Sequence, residues 1–117
     1  MEKKRFRKLV AEALDSLPLE FAEKLNNVSV VVEGIPTQAQ RKKLKLASNM
    51  LLFGLYEGVP QVKRGYYSGV LPDKITIFKN SIEMVCRTEE EIKAQVRSTV
   101  MHEIGHHFGL SEKELKQ

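Results

Sequence analysis

Residues 88–109 read TEEEIKAQVRSTVMHEIGHHFG, and this stretch decides both the architecture around it and the chemistry the chain can carry. Ile92, Val96, Val100, Ile104 and Phe108 recur at every fourth position, which predicts a long helix with one continuous apolar stripe. Thr88 and Glu91 have the spacing of a capping box that opens such a helix. Gly109 stands just past the last apolar position, where a glycine is the usual left-handed stop. Off the stripe lie His102, Glu103 and His106 in the pattern H-E-x-x-H.

That spacing has a physical reason. Residues i and i+4 lie one turn apart on one helix face, with Cβ atoms about 5–6 Å apart. Two imidazoles at that separation can converge on one zinc ion at about 2.0–2.1 Å. Glu103 follows His102 by one step of about 100°, so it flanks the metal rather than binding it. A carboxylate there can take a proton from water activated by the metal. Thr99, one turn earlier, shares this face. All three histidines of the chain fall within residues 102–107. His107 turns away from the other two, toward the edge of the apolar stripe, and reads as a packed or supporting histidine.

Catalytic zinc normally has three protein ligands. If the helix continued, the next position on the metal face would be Leu110, which cannot bind; Gly109 prevents that. Ser111 and Glu114 again match a capping box, which commits Glu114 to a short terminal helix. Glu112 is then the nearest free carboxylate, and its other role is a helix-dipole partner in that first turn.

Outward from this helix, the chain of 117 residues is long enough for one domain, taken as residues 1–117. Hydrophobic residues make up 42% and charged residues 29%, which excludes a disordered tail or a fibre. The lone Cys86 excludes an intrachain disulfide and a cysteine-built zinc finger. The longest apolar run, Met50–Phe53, is too short to span a membrane. The amino terminus MEKKRFRKLVAEALDSL starts basic, as a secretory signal does, but Glu12 and Asp15 interrupt any apolar core. It reads as an amphipathic helix over residues 4–16 of a cytoplasmic protein, with Phe6, Val10, Leu14 and Leu17 inward.

Pro18 opens a second helical segment through about Leu25, and Asn26-Asn27 signals a turn. VSVVVE (28–33) reads as a strand ended by Gly34 and Pro36. Thr37 and Gln40 predict a capped helix over 37–47. The glycine-rich stretch Leu51–Pro72 predicts loops with one or two short strands. KITIFK (74–79) reads as a strand and as a possible peptide-pairing edge. Asn80 and Glu83 offer a further capping box, for a short helix reaching about Cys86.

The string H-E-I-G-H-H-F-G-L-S-E resembles the metzincin zinc signature H-E-x-x-H-x-x-G-x-x-H, with Glu112 where the third histidine stands. EALDSLPLEF, NNVSVVVEGIP, LLFGLYEGVP and LPDKITIFKN extend a resemblance to the small bacterial zincin-like metallopeptidases, sometimes described as minimal zincins. Members commonly place an acidic residue, typically aspartate, at the third position. The resemblance implies an α+β fold with a small mixed or antiparallel sheet packed on helices. It implies zinc held by His102, His106 and Glu112, with Glu103 as catalytic base. Eight residues follow Gly109 in this sequence, so no methionine turn of the kind seen in larger metzincins is expected after the site.

The leading functional expectation is therefore zinc-dependent hydrolysis of a peptide or protein substrate, with Glu103 as general base. Tyr56, Tyr66 and Tyr67 are candidates for the donor to the scissile carbonyl oxygen. Glu57 and Arg64 are candidates for lining the cleft. The alternative is a non-catalytic zinc-binding or peptide-binding module. The net charge of +4, from 19 basic and 15 acidic residues, sits mostly in KKRFRK (3–8) and RKK-K (41–45). No matching fold motif accompanies these runs, so nucleic-acid binding is disfavoured. The oligomeric state is left open by the sequence.

Overall fold

The computed structural model describes residues 1–45, 51–58 and 72–109. The elements in chain order are α1 (Lys3–Asp15), α2 (Leu19–Lys24), β1 (Val28–Glu33), α3 (Gln38–Lys43), β2 (Gly54–Glu57), β3 (Asp73–Phe78), α4 (Lys79–Val85) and α5 (Glu89–Phe108). The fold is α+β, with one three-stranded sheet in the order β1-β3-β2. β3 runs parallel to β1 and antiparallel to β2, so the sheet is mixed.

KITIFK therefore does not offer an edge: its strand is central and paired on both sides. Ile75, Thr76, Ile77 and Phe78 of this central strand are all buried. Among the described residues, the sheet edge beside α5 belongs instead to the short β2.

One sheet face carries Val30 and Val32 opposite Ile75 and Ile77. α1 and α5 cover it with Phe6, Leu9, Val10 and Ala13 from one helix and Ile92, Val96, Val100 and Ile104 from the other. Leu17, Phe21 and Ile82 close the core. Full burial of side chains of this size stabilises by about 1.5–3 kcal/mol each. Arg5 of the first basic run is not spare charge; its guanidinium makes a two-pronged pair with Glu89 at the start of α5, with Nε donating to Oε2 at 2.7 Å.

The apolar stripe of α5 ends one turn before the sequence predicts. Phe108 is 46% exposed. Each i+4 step overshoots a full turn by about 40°, so four steps from Ile92 rotate the stripe by roughly 160°. Phe108 has left the core by then, and meets His107 edge-on and the Lys24 ammonium at 5.9 Å from its ring.

Capping boxes are realised unevenly. Thr37 and Gln40 form a complete one, but α3 stops at Lys43, short of the expected residue 47. Thr88 accepts from the Glu91 N–H at 3.1 Å, while the Glu91 carboxylate takes the Arg87 N–H instead of reaching back to Thr88. The Asn80–Glu83 box does not form. α4 starts directly from β3 at Lys79, the Asn80 N–H donates to Gly34 C=O at 3.0 Å, and Glu83 pairs with Lys79 at 2.6 Å. No helix among the described residues is long and apolar enough to cross a membrane.

Candidate metal centre

α5 is held on its buried side by the core, and that fixes what its other side presents. His102 and His106 are both exposed, one turn apart, with ring centroids 6.0 Å apart and planes tilted by 60°. Gly109 ends the helix in the left-handed region, at φ 69° and ψ 32°, as its position predicts.

Glu103 is half-buried between the helix and the edge strand. Its Oε1 accepts the backbone N–H of Tyr56 at 2.9 Å. Strand alternation explains why that donor is available. The Phe78 N–H donates to Phe53 C=O at 2.9 Å, and register pairs Leu55 with Thr76 and Tyr56 with Ile75. In an antiparallel ladder bonded pairs alternate, so Leu55 and Glu57 point their backbone groups at β3 while Gly54 and Tyr56 point theirs outward. Burial raises the Glu103 carboxyl pKa above the ordinary carboxylate value; the Tyr56 N–H and the nearby His106 and His102 act in the opposite direction.

The close approach of β2 to α5 rests on Gly54. A Cβ there would lie 2.6 Å from Thr99 Cγ2, closer than real contacts allow. Thr99 is buried and its Oγ1 accepts from Gln95 Nε2 at 3.1 Å. Between the two elements lies a cavity of about 230 Å³. Leu51, Leu52, Phe53 and Gly54 form one wall, and Gln95, Ser98, Thr99, His102 and Glu103 the other. A larger hollow of about 440 Å³ between α1 and β1 has Arg7 and Glu33 as its titratable lining and no histidine.

His107 does not reach the core. It is exposed and stacks on the Tyr56 ring, centroids 4.0 Å apart. The Tyr56 hydroxyl, a candidate carbonyl donor on sequence grounds, donates instead to Asp73 Oδ2 at 2.7 Å. Glu57 lies at the far end of β2, where its Oε1 accepts from Gln40 Nε2 at 3.1 Å. Tyr66, Tyr67, Arg64, Ser111, Glu112 and Glu114 lie outside the described residues. The Tyr56 backbone was not legible as a site component, because its contact with Glu103 joins positions 47 residues apart in sequence; Asp73 enters through the Tyr56 hydroxyl, 17 residues away, and through His107. A weaker signal existed for the cavity wall, in the apolar run Leu51–Phe53 before a glycine.

The donor chemistry suits zinc. It is a borderline ion that takes imidazole nitrogen together with carboxylate oxygen, and two imidazoles one turn apart supply the first half of such a set. Among the described residues no group of three His, Cys, Asp or Glu side chains gathers to complete it.

A family model described as zincin-like metallopeptidase matches residues 25–117. Among solved structures, a conserved hypothetical protein from Thermo thermophilus has a similar fold, with a TM-score of 0.59 and 22% identity over 92% of this chain and 94% of that one. No curated protein matches the chain.

Proposed function

The chain belongs to the zincin-like metallopeptidase family, and on that footing we propose that it hydrolyses peptide bonds at a zinc ion held by His102, His106 and Glu112. The observation that carries this reading is Glu103: a half-buried carboxylate flanked by two exposed imidazoles and oriented by the N–H of an edge strand. A site that only held a metal for stability has no use for a carboxylate oriented in this way. When bound, zinc supplies a Lewis acid that polarises a carbonyl and lowers the pKa of coordinated water to about 7.

The chain's own residues do the rest. Glu103 Oε1 is engaged by the Tyr56 N–H, so Oε2 is the atom that takes up a proton and returns it to the leaving amine. Burial raises this carboxyl's pKa, in the direction that makes a carboxylate a better proton acceptor near neutral pH. The outward backbone groups of Gly54, at the edge of β2 beside His102 and Glu103, offer pairing for an extended peptide. The cavity beside His102 and Glu103 takes an uncharged side chain of that peptide, since Leu51, Leu52 and Phe53 line one wall and burying a charge there is costly.

The test is hydrolysis of a peptide library by the zinc-loaded protein, read by mass spectrometry. Cleavage should stop with chelator and be absent from Glu103→Gln at equal zinc content. A wild-type protein that holds zinc yet cleaves nothing in the library would favour a non-catalytic module.

A further inference from the structure

The last turn of α5 is tied to the sheet by three side chains that the hydrolytic reading leaves unused. The rings of His107 and Tyr56 stack 4.0 Å apart and 16° from parallel. The Tyr56 hydroxyl donates to Asp73 Oδ2 at 2.7 Å. The same carboxylate oxygen lies 3.9 Å from His107 Nε2, which closes a triangle. Its corners come from β2, from the first residue of β3 and from the final turn of α5. The backbone at Gly58 passes over it, where a Cβ would stand 3.7 Å from both Asp73 Oδ1 and His107 Cε1.

Tyr56 is also the residue whose N–H meets Glu103 Oε1. Glu103 and His107 are one helical turn apart on α5. They grip the same strand residue, one by its backbone and the other by its ring. β2 is only four residues long and is an edge strand among the described residues. Short edge segments open locally more easily than central strands. Ladder bonds to β3 hold Leu55 and Glu57, but the outward N–H of Tyr56 stays on Glu103 only while the strand keeps its distance from the helix.

We propose that Tyr56, Asp73 and His107 form a positioning lock that holds β2 against the end of α5 and thereby keeps the Glu103 carboxylate in one orientation. The lock deepens the hydrolytic reading and rests on it for the use made of Glu103; the mechanical coupling itself does not depend on turnover. His107 keeps 39% of its side chain exposed, so packing into a core is not what places it there.

The experiment is amide hydrogen exchange, followed by NMR on the metal-free full chain. In the wild type the Tyr56 amide should be protected although no strand among the described residues pairs with that side of β2, and Glu103→Ala should release it. His107→Ala should speed exchange at Tyr56 by about tenfold or more while Leu55 and Val96 stay close to wild type, and His107→Phe, which keeps a stacking ring, should restore protection. Tyr56→Phe, which removes only the hydroxyl, should give a smaller rise confined to the same amide. In any variant that cleaves peptide, kcat should fall while KM and zinc affinity hold. Unchanged protection of Tyr56 in His107→Ala, or an equal loss at Leu55 and Val96, overturns the lock. The exchange result stands whether or not the wild type proves to be a hydrolase.

Discussion

Replacing Gly54 by alanine puts a methyl group where the structure has no room for one. The new Cβ would sit 2.6 Å from Thr99 Cγ2, 3.1 Å from Thr76 C=O and 3.6 Å from Ile77 Cδ1. Carbon atoms pack best at about 3.5–4.0 Å, so the gap between β2 and α5 must open by roughly 1 Å. Thr99 cannot easily yield: it is β-branched, buried and hydrogen-bonded to Gln95. Overpacking of this kind costs about 1–3 kcal/mol. Replacing glycine in a strand returns about 0.5–1 kcal/mol of backbone entropy. The net expectation for Gly54→Ala is a loss of about 1–2 kcal/mol, read as a lower urea midpoint at unchanged slope. Thr99→Ser removes Cγ2 and keeps the hydroxyl, so the alanine should cost less in that background, by about 0.5 kcal/mol or more. Some cost must persist, because Thr76 C=O is backbone and stays in place. A loss below about 0.5 kcal/mol, or an equal loss in both backgrounds, would refute the claim that this contact sets the spacing of strand and helix.

Glu103→Gln keeps an Oε1 acceptor for the Tyr56 N–H but removes the charge that burial disfavours. Because the folded pKa is raised, the stability of the protonated form is complete below the ordinary carboxyl value, roughly pH 4, and is lost as pH rises through the folded value. Partial exposure screens the penalty, so the metal-free variant should melt modestly above the wild type at pH 7, and the difference should vanish below about pH 4; an equal difference at both pH values contradicts this. Gly109→Ala places a Cβ in open space but in the left-handed region, so it should lose about 1–2 kcal/mol in urea unfolding from backbone strain alone, with Gly109→Asn losing less. Glu112→Gln should raise the zinc dissociation constant about tenfold or more in chelator competition, while Glu114→Gln leaves it nearly unchanged; the reverse order places the third ligand elsewhere.

The parts of this molecule that can be read from its sequence are those set by neighbours a few residues away. Thr88 opens α5, Gly109 stops it in the left-handed region, and Thr37 closes a full box with Gln40, all through contacts within one helical turn. The one-turn spacing of His102 and His106 is of the same kind. Local spacing fails where a distant group competes for the same atoms. Asn80 and Glu83 have the pattern of a box, but Gly34 takes the Asn80 N–H and Lys79 takes Glu83. Strand order is decided by pairing across the whole chain, so nothing within KITIFK tells that it is central rather than an edge. The Tyr56 N–H on Glu103 follows from that order and from the absence of a side chain at Gly54, so it is invisible until β2 is placed.

The most direct test of the account is the zinc stoichiometry of the purified full chain, measured by elemental analysis after dialysis, for the wild type and for the double variant His102→Ala/His106→Ala. The expected result is one zinc per wild-type chain and none in the double variant, with both still folded by circular dichroism. A wild type that takes up no zinc, or a double variant that keeps its full complement, would contradict it.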